Sequence, residues 1–260
     1  MKVLGIDIGG TGIKGAVVDT KRGVLKSDRL RILTPHPATP DAVADVVARI
    51  ATHFEWDGPV GTAFPGVVRD GTVHTAANLD PAWVGQSATD AFAAATGASV
   101  VTCINDADAA GEAEAAFGAA KGVGGVVLVV TLGTGIGSAL LVDGRLVPNT
   151  ELGHLSLHGD DAEHYAAESV RETQALSWED WAARVNEYLH LVEDLFWPDR
   201  FVLGGGVSKQ ADKFIPLLDV RTPVVPAELR NKAGMVGAAE VARRTAAEGH
   251  NHDGRLRRRR

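Results

Sequence analysis

Two copies of a glycine-rich strand–turn–strand pattern constrain this chain more than any other feature of its sequence. In the first copy, an apolar run with one acid (3–8) meets a GGTG turn (9–12), and small and β-branched residues follow (13–18). Glycine lets backbone N–H groups approach an anion closely, so glycines after a strand indicate a phosphate loop. A dinucleotide-binding fold needs a helix at that point. Because residues 13–18 have no helical period, the pattern predicts a hairpin that holds phosphate.

The second copy lies near the middle of the chain. An apolar run leads into GTGIG at 133–137, and another strand-like segment follows. With one residue dropped from the first copy, Gly9 aligns with Gly133 and Gly12 with Gly135. Two ordinary glycine-rich hairpins are the alternative interpretation, and the match between the copies disfavours it. The duplication predicts two similar halves, each presenting a glycine turn to a shared cleft.

Composition indicates an ordinary soluble globular protein. The 260 residues are 45% hydrophobic and 23% charged, which suffices for one large domain or two smaller ones. No apolar run approaches the roughly 20 residues of a membrane span, and no signal-peptide pattern precedes the first strand. The single cysteine, Cys103, excludes an internal disulfide and fits a reducing cytoplasm. We therefore expect a cytoplasmic protein without a membrane partner.

The net charge of −7 is unevenly spread, because five arginines lie within the last six residues. Residues 249–260 are expected to form a disordered basic tail. Such a tail attracts polyanions electrostatically. We expect a solvated tail of little consequence for the fold, and no nucleic-acid partner.

Strand-like and helix-like segments alternate along the chain, which predicts the α/β class. Thr39 precedes a helix-like segment as an N-cap hydroxyl, a second helix is predicted from Ser87 to Thr96, and tryptophans of the 177–196 segment are expected in the core. The predicted organisation comprises an N-terminal α/β domain (1–107), a C-terminal α/β domain (108–232) and a terminal helix packing back on the first domain (233–248).

Asn105 and Asp106 stand where a predicted strand meets a predicted helix. Open α/β sheets place ligands at the carboxyl ends of their strands. A helix N-terminus also favours an ionised carboxylate, as a general base requires. The alternative is that the pair merely caps the helix.

Five motifs occur in the order in which the ROK sugar kinases carry them, and the chain resembles that family over roughly residues 2–245. They are DIGGTGIK (7–14), ND (105–106), LGTGIG (132–137), ELGH (151–154) and LGGGVS (203–208). The resemblance implies an actin-like, hexokinase-like ATPase fold of two similar RNase H-like domains around a cleft. The short chain, AFPGVV at 63–68 and the segment 177–189 are similar to the polyphosphate-using glucokinases of the family.

The resemblance implies a kinase that moves a phosphoryl group from inorganic polyphosphate to the 6-hydroxyl of glucose. Asp106 is then the general base, and Asp7 helps to hold Mg²⁺ through water. The implied sugar contacts are Gly66, Asn78, Asn105, Asp106, Glu151, His154 and Glu163, with Glu168 as the competing register for Glu163. The implied contacts to the phosphate donor are Gly9, Gly10, Thr11, Gly12, Lys14, Thr131, Gly133, Thr134, Gly135, Gly204, Gly205 and Gly206. Lys14 is either the counter-charge of Asp7 or a solvated hairpin lysine.

One departure from the family concerns zinc. Many ROK proteins carry a site of one histidine and three cysteines just beyond the E-x-G-H motif, but residues 155–162 contain no cysteine. A structural zinc site needs four ligands, so we expect no structural zinc. The ROK transcriptional repressors are also disfavoured, because they carry a DNA-binding helix-turn-helix before the sugar module.

The phosphate donor is open at the level of sequence. The glycine triplet 204–206 keeps ATP as a candidate, whereas polyphosphate needs a row of cations, for which Lys14, Lys121, Lys209 and Lys213 are candidates. The alternatives are an ATP-only ROK hexokinase and a catalytically silent sugar-binding regulator. The resemblance further implies that mannose is a candidate substrate and that the chain forms a homodimer.

Overall fold

The computed structural model describes residues 1–76 and 78–257, with side chains described through Glu248. The chain forms two compact units, one of Met1–Ala113 together with the segment from Gly234 onward, and one of Glu114–Ala233. The boundary lies within a helix after Ala113, whereas the sequence predicted it after residue 107. Both units combine a sheet with helices, so the predicted α/β class is confirmed.

The first unit is built on a six-stranded sheet. Its strands are β1 (Lys2–Ile8), β2 (Ile13–Asp19), β3 (Val24–Leu25), β4 (Leu30–Ile32), β5 (Val60–Phe64) and β8 (Val101–Asn105), and β6 (Val68–Arg69) pairs separately with β7 (Thr72–Val73). β1 and β2 form the predicted antiparallel hairpin, while β1, β5 and β8 run parallel. The glycine turn and the segments after β5 and β8 therefore leave the sheet at one edge. The segment 24–33 contains two short strands, β3 and β4, with a break between them.

Hydroxyl side chains cap two helices of the first unit, and the cap at Thr39 was predicted. The helices are α1 (Pro40–His53), α2 (Ala88–Thr96) and α3 (Asp106–Phe117). The Thr39 and Ser87 side chains accept from backbone N–H groups in the first turns of α1 and α2. The apolar stripe of α1 is buried against the sheet, in a core that also contains Phe64 and Trp83.

The second unit repeats the arrangement of the first sheet. Its strands are β9 (Val126–Leu132), β10 (Ile136–Val142), β11 (Arg145–Val147), β14 (Arg200–Gly204) and β15 (Val224–Pro226), with β12 (Ser156–Leu157) and β13 (Asp160–Asp161) as a separate ribbon. β9 and β10 form an antiparallel hairpin, and β14 runs parallel to β9 as β5 does to β1. The duplicated pattern in the sequence is therefore a duplicated strand arrangement.

The helices of the second unit bury the predicted tryptophans. They are α4 (Glu163–Ala166), α5 (Glu168–Thr173), α6 (Trp178–Phe196) and α7 (Ala211–Phe214). Trp181 is fully buried, and Trp178 stacks on Phe214 with ring centroids 6.3 Å apart. These rings belong to the hydrophobic core, as the sequence predicted.

The last helix, α8 (Ala233–Arg257), packs against the first sheet. Gly5 of β1 and Gly61 of β5 lie opposite each other, and a Cβ at either would come within about 2 Å of an α8 carbonyl oxygen, that of Met235 or Ala238. α8 extends beyond residue 248 into the stretch for which disorder was predicted. Arg258–Arg260, the end of that tail, lie outside the described residues.

Within residues 1–76 and 78–257, none of the helices has both the length and the apolarity that crossing a membrane requires.

Candidate active site

The first glycine turn is closed by its own backbone and by a neighbouring loop. The Gly9 N–H donates to the Gly12 carbonyl at 3.3 Å, and the buried Thr34 hydroxyl donates to the Gly9 carbonyl. A Cβ at Gly10 would lie 2.8 Å from the Cβ of Asn78. The structure therefore brings Asn78, a predicted sugar contact, directly against the predicted phosphate turn.

Asp7 lies next to this turn and has two electropositive neighbours. Its Oδ2 is 3.4 Å from the Lys14 Nζ on the paired strand, so the two side chains form an ion pair. A Cβ at Gly234 in the first turn of α8 would lie 3.1 Å from the Asp7 carboxyl carbon. The positive end of a helix dipole thus faces the carboxylate. Of the two interpretations of Lys14, the counter-charge is the one that matches this geometry.

Arg31 is a cation at the first turn that sequence reasoning missed. Its guanidinium donates to the Thr11 carbonyl at 3.3 Å, and its Nε would lie 2.6 Å from a Cβ at Gly12. The residue is exposed, and it lies directly opposite Lys14 in the β2–β4 pairing. The alternation Arg29-Leu30-Arg31 was a signal that could have indicated a strand with basic residues on its outer face.

At the carboxyl end of β8, Asn105 and Asp106 have different surroundings. The Asn105 Oδ1 accepts from the Asp108 N–H at 2.9 Å, and its Nδ2 donates to the Gly66 carbonyl at 3.1 Å. Asn105 is buried, whereas Asp106 is exposed and accepts from the Ala107 N–H at 2.8 Å. Asn105 therefore caps α3 and ties it to Gly66. The capping role that was the alternative for Asp106 belongs mainly to its neighbour.

In the second unit, the glycine turn has the same closure with one residue fewer. The Gly133 N–H donates to the Gly135 carbonyl at 3.0 Å, where the first turn joins Gly9 to Gly12. This difference is the one-residue gap required by the sequence alignment of the two copies. Thr131 lies opposite Gly204 in the pairing of β9 with β14, so the second turn and the glycine triplet share one sheet edge.

Ile136, the first residue of β10, joins three segments of the second unit. Its N–H donates to the Glu163 Oε2 at 3.1 Å. Its carbonyl oxygen would lie only 2.2 Å from a Cβ at Gly153, which explains the glycine of the E-x-G-H motif. The Glu163 carboxylate, the motif and the second glycine turn are therefore held together.

The predicted sugar contacts of the second unit form one polar cluster. The His154 Nδ1 lies 2.7 Å from the Asp161 Oδ2, and the His154 Nε2 lies 3.8 Å from the Glu151 Oε2. The hydrogen bond to Asp161 raises the pKa of His154, with Glu163 and Glu151 adding to the effect against partial burial. Burial raises the pKa of Glu151. Asp161 was not among the predicted site residues.

One atom each from His154, Asp161 and Glu163 lie within 4.8 Å of one another, as a metal site would require. A closed structural zinc site has four protein ligands, mostly cysteine and histidine. Three ligands, two of them carboxylates, do not match that pattern, and the expectation that structural zinc is absent stays a prediction.

Glu168 lies in a different place from the sugar-contact cluster. Its carboxylate accepts a hydrogen bond from the Val207 backbone and would lie 3.2 Å from a Cβ at Gly206. The next residue, Ser169, donates from its N–H to the Gly133 carbonyl at 3.0 Å and from its hydroxyl to the Thr134 carbonyl at 2.6 Å. Glu168 and Ser169 thus connect the glycine triplet to the second turn. Of the two registers, only Glu163 places a carboxylate beside His154.

The predicted lysine path is not assembled by contacts within either unit. Lys14 pairs with Asp7, and Lys213 donates to the Gln210 Oε1 at 3.0 Å with its Nζ 5.3 Å from the centre of the Trp178 ring. Lys121 and Lys209 are exposed. A path through these four residues stays a prediction.

Comparison with known proteins gives consistent results. Residues 3–169 match the ROK family. Over 235 residues the chain is 52% identical to the polyphosphate glucokinase of Mycobacterium tuberculosis (strain CDC 1551 / Oshkosh), covering 90% of this chain and 89% of that protein.

Two solved structures have the same fold. The inorganic polyphosphate/ATP-glucomannokinase of Arthrobacter sp. strain KM superposes with a TM-score of 0.90 at 50% identity, covering 94% of this chain and 99% of that one. A ROK family glucokinase of Streptomyces griseus, solved with glucose and AMPPNP, superposes with a TM-score of 0.80 at 26% identity, covering 94% and 100%.

Proposed function

The chain belongs to the ROK family, and on that premise we propose that it is a kinase transferring a phosphoryl group from inorganic polyphosphate to glucose. It has the actin-like, hexokinase-like ATPase fold of that family. The observation that carries the proposal is the identity of 52% to a polyphosphate glucokinase across nine-tenths of both chains.

Asp106 acts as the general base. The exposed carboxylate follows β8 at the same end of the sheet at which β1 leads into the first glycine turn, and the adjacent Asn105 supplies the cap of α3. The carboxylate takes the proton of the glucose 6-hydroxyl while that oxygen forms a bond to the terminal phosphorus. The bridging P–O bond breaks, and a polyphosphate shorter by one phosphate leaves. A carboxylate at a helix N-terminus stays ionised, as a base must.

The sugar is bound by groups that match its hydroxyls. Each hydroxyl is both donor and acceptor, so carboxylate, imidazole and amide groups are suitable partners. Glu151, His154 and Glu163 form such a set, since both carboxylates lie near the imidazole, and Asn78 of the first unit supplies an amide. Asn105 acts on the sugar site through Gly66, whose carbonyl it holds.

The donor phosphates are held by the N–H groups of the two glycine turns and by the triplet 204–206. Asp7 would help to hold Mg²⁺ through water, because its carboxylate offers the kind of oxygen ligand that this ion prefers and Mg²⁺ usually keeps several waters. When bound, the ion neutralises charge on the transferred phosphoryl group. Lys14 orients the Asp7 carboxylate through their ion pair.

ATP is a second donor in this proposal, and mannose a second acceptor. The glycine triplet, where the family binds the nucleotide, is intact, and the Arthrobacter relative is described as using both donors on glucose and mannose. A homodimer and a cytoplasmic location complete the proposal. Cys103 is buried, and it is the only cysteine, which suits a reducing compartment.

Initial rates with purified polyphosphate and with ATP, each with glucose and with mannose, test the proposal. Formation of glucose 6-phosphate from polyphosphate is the expected result. Turnover with ATP alone would favour the ATP-only hexokinase, and absence of turnover with both donors would favour a silent sugar-binding regulator. Light scattering of the purified chain tests the dimer.

A further inference from the structure

The edge strand β4 and the residue just before it carry cations that the proposed phosphoryl transfer has not yet used. Leu30 and Ile32 of β4 pack on the core, whereas Arg31 of β4 and Arg29, which immediately precedes the strand, are exposed. Arg31 reaches the first glycine turn, where it donates to the Thr11 carbonyl. The row of cations therefore begins at the turn and runs back along β4.

The charges around Arg31 do not balance. Lys14 of β2 lies directly opposite Asp7 of β1 on one side and Arg31 of β4 on the other. Asp7 forms an ion pair with Lys14. Like charges directly opposite each other on paired strands are destabilising. Within the described part of the chain, no carboxylate lies within 4.0 Å of the guanidinium of Arg29 or Arg31. The fold thus maintains an uncompensated positive charge beside a glycine turn.

Arg31 is suited to an anion because of its chemistry. A guanidinium presents five N–H donors in a planar fork that matches phosphate oxygens, and only one of these bonds is used on Thr11. Gly12 leaves the room that the guanidinium occupies, because any side chain there would displace it.

We propose that Arg31 and Arg29 form a binding track for a polyphosphate chain, with Arg31 contacting the phosphates at the first turn and Arg29 contacting those further along. This inference rests on the proposed function, because it assumes that polyphosphate is a donor. A long polyphosphate engages both arginines, whereas tripolyphosphate and ATP offer fewer phosphates to them.

Steady-state kinetics of Arg31→Gln, Arg29→Gln and Arg49→Gln test the track. Arg49 is the control because it is an exposed arginine of α1, distant in sequence from the glycine turns and paired with Asp45 at 3.9 Å. Its substitution by glutamine removes the same charge as the two track substitutions. We expect Arg31→Gln to raise the KM for long-chain polyphosphate about tenfold, as loss of a hydrogen bond to a charged group does. Arg29→Gln should raise the KM for long-chain polyphosphate more than the KM for tripolyphosphate or ATP.

Calorimetric titration of long-chain polyphosphate into the same proteins without glucose decides the inference independently of turnover. Both track variants should bind it more weakly than Arg49→Gln, with a smaller loss of affinity as salt increases. Equal affinity in all three variants would overturn the track. If the wild-type protein does not turn over polyphosphate, the proposed function fails, whereas normal turnover with unaffected track variants removes only the track.

Discussion

The Glu163 carboxylate accepts a hydrogen bond from the Ile136 backbone N–H at 3.1 Å, which attaches the start of α4 to the second glycine turn. The same carboxylate lies among the ionisable groups around His154. One side chain thus links a predicted sugar contact to a predicted phosphate turn within the second unit.

Replacing Glu163 with glutamine should weaken glucose binding while the fold persists. The amide oxygen of glutamine still accepts from Ile136, but the charge that strengthens hydrogen bonds to sugar hydroxyls is lost. We expect the KM for glucose to rise about tenfold. Glu168→Gln is the matched control, because that carboxylate lies beside Gly206 and not beside His154. An equal rise of the glucose KM in both variants would contradict the assignment.

Replacing Asp106 with asparagine should remove the base and leave the fold intact. We expect kcat to fall by ~10²–10⁴, the usual contribution of a general base. The thermal midpoint should stay near that of the wild type, because Asn105 and not Asp106 caps α3 at Asp108. Single-turnover rates and thermal unfolding of the same sample separate the two effects. Near-normal turnover would exclude Asp106 as the base.

Substitutions of Asn105, unlike Asp106→Asn, should lower the stability of the fold. Asn105→Ala removes the cap of α3 and leaves the Gly66 carbonyl without its donor. The free energy of unfolding should fall by about 0.5–2 kcal/mol from the cap alone. Asn105→Asp keeps an acceptor for the Asp108 N–H but loses the donor to Gly66, so its unfolding free energy should lie between those of Asn105→Ala and the wild type. Denaturant titration measures all three proteins.

The contact between His154 and Asp161 predicts a pH dependence. The hydrogen bond to Asp161 raises the pKa of His154 above its ordinary value of 6.5. A group with a raised folded-state pKa stabilises the fold below its unfolded-state pKa, and this stabilisation is lost as the pH rises through the folded-state pKa. Asp161→Asn should therefore lower stability more at pH 5.5 than at pH 9, pH values chosen on either side of the histidine range.

Proton NMR titration of His154 checks this prediction directly. Its pKa should move down toward the ordinary value in Asp161→Asn, although Glu151 and Glu163 continue to raise it. His158→Gln serves to assign neighbouring imidazole signals, because His158 pairs with Glu187 and not with Asp161. An unchanged His154 pKa would show that Asp161 does not control it.

The glycines under α8 should be intolerant of any side chain. A Cβ at Gly61 would lie 2.0 Å from the Ala238 carbonyl oxygen, and backbone atoms cannot turn away as a flexible side chain can. Gly61→Ala should lower the free energy of unfolding by ~1–3 kcal/mol or more, as overpacking of a core does. Gly124→Ala is the control, since its nearest atom would be 3.8 Å away. Equal stability of the two variants would contradict this packing.

Local signals predicted much of the fold. The helix start after Thr39 follows from a hydroxyl cap, and the two hairpins follow from glycines between β-branched runs. These features depend on neighbours in sequence, which a single chain displays directly.

Features that depend on residues distant in the chain were not predictable. Arg31 is important because β4 pairs with β2 opposite Lys14, and no local pattern gives that register. Likewise, the choice between Glu163 and Glu168 depends on which of them meets Ile136. Asp161 reaches His154 through the short β12–β13 ribbon, whose strands have two residues each and lack a clear alternation.

The return of α8 to the first sheet has a consequence for synthesis on the ribosome. The second unit is one contiguous segment, residues 114–233, so all its strands and helices are present once that segment has left the ribosome. The first unit does not, because the surface over Gly5 and Gly61 stays uncovered until the final helix has been translated. The first unit is therefore the first to be synthesised but the last to be completed. A nascent chain that stops short of Gly234 presents an open sheet face to chaperones and proteases.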